Sequence, residues 1–377
     1  MTSKLPGVSS PVASHVPTEA SPSATPARGD SGSRSSRAAP DRSPGLGDLR
    51  PRPTSATVGV TPSSASVTRA LSTDELPLAA YLLTCALNGR PVAQPDVARL
   101  RRANASVNET RALLKHGRGN VDVDVRATGN ESRWRMKAAR TLKDQFDGRS
   151  GERWVDFSTQ ATHSAAAAHV FGAGNCGEHT STTAVYHSRR LEEHETVHYV
   201  KGRQIGHTWA EARLHATGGP GDRERAIVLD AWADGPAVLA PDARFARQRE
   251  QVRSILHFDA QRGREARIAT NDLVLEARAK GLAEIERRIR SGVTPAARFT
   301  AFVDSLLPSG VGDWSAQHVL DEAFMARVQT RLHAPSDDGC VREQAVRIAQ
   351  QFGIGDSDRA AQALRIVEAA RVLIPKR

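Results

Sequence analysis

Cysteine is scarce in this chain: 377 residues hold three, Cys85, Cys176 and Cys340. An odd number of thiols so far apart makes no disulfide framework and points to a reducing working compartment. Aromatic residues make up 5% of the chain, and none lies in residues 1–70, which are dominated by Ser, Pro, Thr and Ala with scattered Arg. Such a stretch cannot bury enough apolar surface to offset the entropy of ordering, so a disordered leader is expected there. Long apolar runs are absent too. No stretch of about 18 apolar residues and no short apolar signal core occurs, so neither a membrane-spanning helix nor classical export is indicated. A Ser/Pro-rich unfolded start suits export through a narrow conduit, or is a plain flexible tail. Thr2 follows Met1 where N-myristoylation needs glycine, so no such anchor and no membrane association are expected.

A basic stripe interleaved with aromatics is likewise missing. The net charge is +10, but Arg residues alternate with Asp and Glu through the rest of the chain, so a nucleic-acid partner is not expected.

What is present reads as α+β. Residues 72–89 carry Ser/Thr caps, an early Asp-Glu pair and a closing Asn-Gly, the signature of one helix, with Cys85 as a small buried thiol on its apolar side. Residues 94–116 and 131–147 continue as polar amphipathic helices; the Val/Asp alternation between them predicts a short strand or extended loop. From 196 to 233 the pattern turns to β. "TVHYV" and "QIGHTWAEARL" flank a turn at 201–203, and "RAIVLDAWADG" follows a Gly/Pro loop at 218–222. Three successive strands predict an antiparallel sheet. Beyond Pro241 helices are expected at 271–291, 313–333, 340–352 and 357–373. The organisation expected is a leader at 1–70, a helical N-terminal part at 71–150, a core at 151–262 and a helical C-terminal part at 263–377.

Two chemistries compete. His194-Glu195-Thr196-Val197-His198 matches HExxH, in which two histidines one helical turn apart clasp zinc while the glutamate activates water. That arrangement needs a helix. Here β-branched and aromatic residues occupy the second turn, Gly202 follows, and no third ligand is evident. A second metal set, Cys176 with His163, His169 and His179, lacks ligand spacing. No metal or other cofactor is expected.

The other chemistry is a thiol. Asn175 is a favoured N-cap, and Glu178 three residues on completes a capping box, which puts Cys176 at the first helical position. The positive helix end favours the thiolate, the nucleophilic form. Gly172, Gly174 and Gly177 would let a substrate backbone approach, and the Cys176 N–H could serve an oxyanion hole. A thiol nucleophile needs an imidazole and a group that orients it. His207, on a strand before Thr208-Trp209, and Asp230, ending the run 226–229, fit these roles on adjacent strands. His179 is the competing base, and Asp234 and Asp242 the competing carboxylates. Gln160 and Trp154 are candidates for the second oxyanion donor; Trp209 and Trp232 are candidates for a substrate wall or for the core.

The boxes Gly174-Asn175-Cys176-Gly177-Glu178, His207-Thr208-Trp209-Ala210-Glu211 and Asp230-Ala231-Trp232 resemble those of the transglutaminase-like, papain-like cysteine enzymes. Within them, "GNCGEH", "GHTWAE" and "VLDAWADGPAV" resemble the HopX/AvrPphE/XopE type III effectors of plant-pathogenic bacteria. The resemblance implies a papain/transglutaminase-like core, with the nucleophile-bearing helix packed on an antiparallel sheet, and a Cys176–His207–Asp230 triad. It also implies a secretion signal in the leader and contacts with the type III machinery and a chaperone. Delivery would be to the host cytoplasm or nucleus, where thiol proteolysis or acyl transfer on a host protein would alter defence signalling. Relatives with an acylation site at the start differ from this chain's Met1-Thr2. The alternative is a non-catalytic effector whose helical arms bind a host protein.

Overall fold

The structure, a computed structural model, describes residues 69–149, 155–203, 205–215, 224–283, 285–287 and 315–376. The leader expected at 1–70 lies outside these except for its last two positions, as does the loop at 218–222.

Ser72 and Glu75 exchange backbone N–H groups for side-chain oxygens at 3.2 Å each, and Pro77 follows in the first turn, so the chain enters helix α1 (Leu76–Leu87) there. Residues Leu78 to Cys85 are all buried, so α1 is an interior helix rather than a surface one. It packs against three helices from the far end of the chain: α8 (Glu322–His333), α9 (Asp338–Gln351) and α10 (Asp356–Leu373). The parts at 71–150 and 263–377 are therefore not packed in chain order.

Helix α2 (Gln94–Leu113) lies against the central layer. The Val/Asp stretch after it is a correction to the reading from sequence, because Asp122–Ala127 forms a short helix, α3. Val121 and Val125 are buried while Val123 between them is 49% exposed, so the three valines do not share one face as alternation requires, and Asp124 accepts from Arg118. Helices α4 (Glu131–Arg149) and α5 (Phe157–Phe171) pack together, and α5 packs against α6 (Cys176–His187). A small second core of Leu142, Phe146, Phe171 and Val274 forms where α4 and α5 meet α7 (Ala260–Ala279).

The central layer is a five-stranded antiparallel sheet in the order β4-β3-β2-β1-β5. Strands β1 (Glu195–Gly202) and β2 (Thr208–Leu214) pair as the expected hairpin, with Val200 opposite Trp209, and β3 (Ile227–Leu229) joins β2 with Leu229 opposite Ala210. Strand β4 (Val238–Leu239) closes one edge and β5 (Val252–Phe258) the other. Strand β5 was not legible: the region after Pro241 read as helix. All its residues but Phe258 are partly or fully exposed along an edge with a register shift at Tyr199/Val200, so no clean alternation marks it. Helix α7 begins at Ala260, capped by Asp259, earlier than the expected 271. The segment before α8 is extended at 318–320 and starts as helix only after the Asp321 cap. Helix α6 packs on β2 and β1, which carries the fold class: α+β, with the cysteine helix on an antiparallel sheet.

Candidate active site

The cysteine is placed by two glycines and a cap. Helix α5 ends at Gly172 with φ 67°, a conformation that favours glycine. A Cβ at Gly174 would come within 2.5 Å of the Glu178 Cβ, so only glycine lets the loop pass under the helix start. Gly174 is buried there and forms packing, not the substrate approach expected of it. The capping box forms as read from sequence. Asn175 N donates to Glu178 Oε2 at 2.7 Å, and Asn175 Oδ1 accepts from Cys176 N at 2.7 Å. The second bond corrects one expectation, since it occupies the Cys176 N–H that was assigned to an oxyanion hole. Arg140 Nε donates to the buried Glu178 carboxylate at 2.9 Å.

His207 stands just before β2 with 1% of its surface exposed, and Asp230 just after β3 with 3%. His207 Nε2 donates to Asp230 Oδ2 at 2.7 Å. The other carboxylate oxygen accepts the N–H groups of Trp232 and Ala233, each at 3.1 Å, so the acid is fixed by its own loop. Thr180 Oγ1 donates to Cys176 O at 2.7 Å and lies 3.2 Å from Thr208 Oγ1, tying the helix start to the strand beside His207. The Cys176 sulfur lies 4.0 Å from Gly206 O, next to the imidazole.

Charges in this pocket are coupled. Burial works against the imidazolium, but the Asp230 charge and hydrogen bond, followed by the Cys176 side chain, outweigh it and push His207 up to about 9. Burial works against the Asp230 carboxylate as well; the His207 charge and hydrogen bond, the Ala233 N–H and Arg111 hold it below the usual carboxylate range. With Nε2 given to Asp230, Nδ1 is the ring nitrogen left for proton exchange with the thiol.

The competitors are placed elsewhere. Asp242 is buried with Tyr81 and Arg90, and Asp234 is half exposed on Arg118 at 3.0 Å. His179 is buried, donates Nδ1–H to Asn175 O at 2.9 Å, and burial lowers it to about 4. Glu195 and His198 of HExxH lie on β1, not on a helix. Glu195 bonds Arg99 and Arg102, His198 lies 2.9 Å from Ser254 Oγ, and the exposed His194 precedes the strand. In the second set, His163 is paired with Asp147 and His169 with Tyr186. Among the described residues no three His, Cys, Asp or Glu side chains gather as metal ligands.

Trp209 and Trp232 are each 1% exposed, with ring centroids 5.8 and 4.8 Å from His207. With Phe245 at 4.3 Å they wall the imidazole, so of the two readings the structure places them in the core and not on a substrate surface. Gln160 and Gly177 line a cleft of about 430 Å³ beside Cys176, with Tyr199 and Thr208. The Gln160 amide donates to Val155 O at 2.6 Å; Trp154 lies outside the described residues.

Three supports were not legible in the sequence. Arg111 of α2 donates to the carbonyls of Ala233 and Gly235 at 2.6 and 2.7 Å, and Arg118 to Trp232 O at 2.8 Å. The segment before α8 straps the same loop, with Asp234 N donating to Gln317 O and Val319 N donating to Asp234 O, each at 2.8 Å. A surplus of arginine in polar helices was visible, but nothing local marks which guanidinium reaches a loop about a hundred residues away. Compared with known proteins, the chain matches no family model, no curated protein and no solved structure.

Proposed function

We propose that this protein is a thiol enzyme that transfers acyl groups on proteins, with Cys176 as nucleophile, His207 as acid and base and Asp230 as the group that orients His207. The observation that carries the reading is the buried 2.7 Å pair of His207 Nε2 and Asp230 beside a sulfur at a capped helix start. In the reaction the Cys176 sulfur attacks the carbonyl carbon of a peptide or carboxamide. His207 gives its proton to the departing amine as the C–N bond breaks, which leaves a thioester. His207 then takes a proton from water or from a second amine as it attacks, and the sulfur leaves with the electron pair of the C–S bond. Asp230 keeps the ring's other proton on Nε2 throughout and offsets the imidazolium charge.

The chain order of a helix-borne cysteine, a strand histidine and a carboxylate on the following strand supports a papain/transglutaminase-like core. With the sequence boxes it supports membership of the HopX/AvrPphE/XopE effectors, secreted by the type III route into plant cells and acting on a host protein there. The test is to incubate wild type and Cys176→Ala with host extract and a tagged primary amine. Fragments or tagged proteins found only with wild type support the reading. If neither forms, and Cys176→Ala keeps its host partner and phenotype, the protein is a binding effector.

A further inference from the structure

The cleft beside Cys176 has a chemistry of its own, and its argument rests on the thiol reading above. Phe157, Leu256 and Ile255 supply apolar wall, and Gly177, Tyr199 and Thr208 form the side nearest the nucleophile. Four more charged side chains line it. Two are answered by neighbours. Glu178 is held by Arg140 at 2.9 Å, and Lys143 is paired with Asp147 one helical turn away.

The other two are Lys201 on β1 and Arg253 on β5. They stand opposite each other in the register of the two strands, and both are exposed. Among the described residues neither makes an ion pair or a side-chain hydrogen bond. Like charges directly opposite on adjacent strands oppose pairing, and a carboxylate between them would reverse the sign of that contribution. Among the described residues the cleft next to the nucleophile therefore carries two positive charges without an acidic partner, together with apolar surface.

We propose that this cleft selects the substrate: a protein segment with an acidic side chain within two residues of the reacting carbonyl, its carboxylate between Lys201 and Arg253 and its methylene groups on Phe157 and Leu256. The two cations supply the specificity, since a lysine in the same place meets two like charges with no acid to answer it.

Short peptidyl chloromethyl ketones test this, because the Cys176 sulfur displaces chloride and the adduct is counted by mass. Three probes differ in one residue, Glu, Gln or Lys, placed at each of the two positions before the electrophile. With wild type the Glu probe is expected to react roughly tenfold faster than the Lys probe, with Gln between. The Glu-to-Lys ratio inverts in Lys201→Glu/Arg253→Glu and falls to about one in Lys201→Gln/Arg253→Gln; the ratio within each variant cancels any change in thiol reactivity. Equal rates in wild type, or faster reaction of the Lys probe, overturn the proposal. Iodoacetamide labelling of Cys176, measured in parallel, separates the two failures. If it depends on His207 while the probes do not discriminate, only the cleft assignment falls. If it ignores His207, both fall.

Discussion

Asp230→Asn probes the charge coupling directly. The substitution keeps an oxygen for the Trp232 and Ala233 N–H groups, but it removes the acceptor 2.7 Å from His207 Nε2 and the negative charge with it. An amide N–H facing Nε2 drives the neutral ring's proton to Nδ1, the side of the sulfur, where a base is needed. Wild-type His207 is raised from 6.5 to about 9, which corresponds to about 3 kcal/mol between its two protonation states. Without Asp230 the burial that lowers the imidazole is opposed only by the Cys176 side chain, so His207 of the variant should titrate well below its wild-type value.

The assay is NMR of protein labelled with ¹³C at histidine Cε1. The chain has 13 histidines, and the signal absent from His207→Gln identifies the one in question. The expected midpoints are near 9 in wild type and well below that in Asp230→Asn. The sign for stability follows. A group raised on folding stabilises fully below its unfolded value of 6.5, and that contribution disappears as pH rises through about 9. Chemical denaturation should therefore show the gap between wild type and variant shrink by about 3 kcal/mol from pH 6 to pH 10. A wild-type midpoint near 6.5, or one that Asp230→Asn leaves in place, would refute the coupling and with it the triad.

Other expectations are simpler to check. Iodoacetamide on the native protein should label Cys176 and the exposed Cys340 and spare Cys85, whose thiol burial pushes far up; peptide mapping after the label decides it. Trp232→Ala empties space against His207 and removes the 3.1 Å bond from Nε1 to Asn120, so urea denaturation should show a loss of about 3–5 kcal/mol. Glu178→Ala breaks the capping box and should cost about 1–2 kcal/mol by the same measurement, whereas Glu178→Gln keeps an acceptor for the Asn175 N–H and should cost less. At low pH the Asp230 contribution, present above its ordinary 3.8, is lost as pH falls through its lowered folded value; an acid titration of native fluorescence that shows no midpoint below that point contradicts it.

Much of the site could be read from short stretches because its parts are local. The Asn175–Glu178 box spans one helical turn, and the β1–β2 hairpin joins neighbours in sequence, so both are consequences of adjacent residues. The choice of Asp230 over Asp234 and Asp242 was also within reach, since it ends a buried apolar run. The misreadings share a cause. At 121–125 three valines separated by aspartates fit alternation, and only the exposure of Val123 between the buried Val121 and Val125 decides the period. In β5 an exposed edge leaves little pattern to read. The Cys176 N–H was assigned to an oxyanion hole on helix geometry alone, without the Asn175 side chain that takes it.

By itself the sequence determined the chemistry available: one thiol at a helix start, one strand histidine, one carboxylate at a strand end, and a capped turn that orders the first of these. These depend on bonds between residues a few positions apart, whose geometry the backbone dictates. Only the tertiary structure decided which groups meet: the aromatic wall that dries His207, the arginines that hold the Asp230 loop, the interior place of α1, and the pairing of Lys201 with Arg253. These contacts join residues tens to hundreds of positions apart, and their energies arise from burial and strand register, which exist only once the chain has packed.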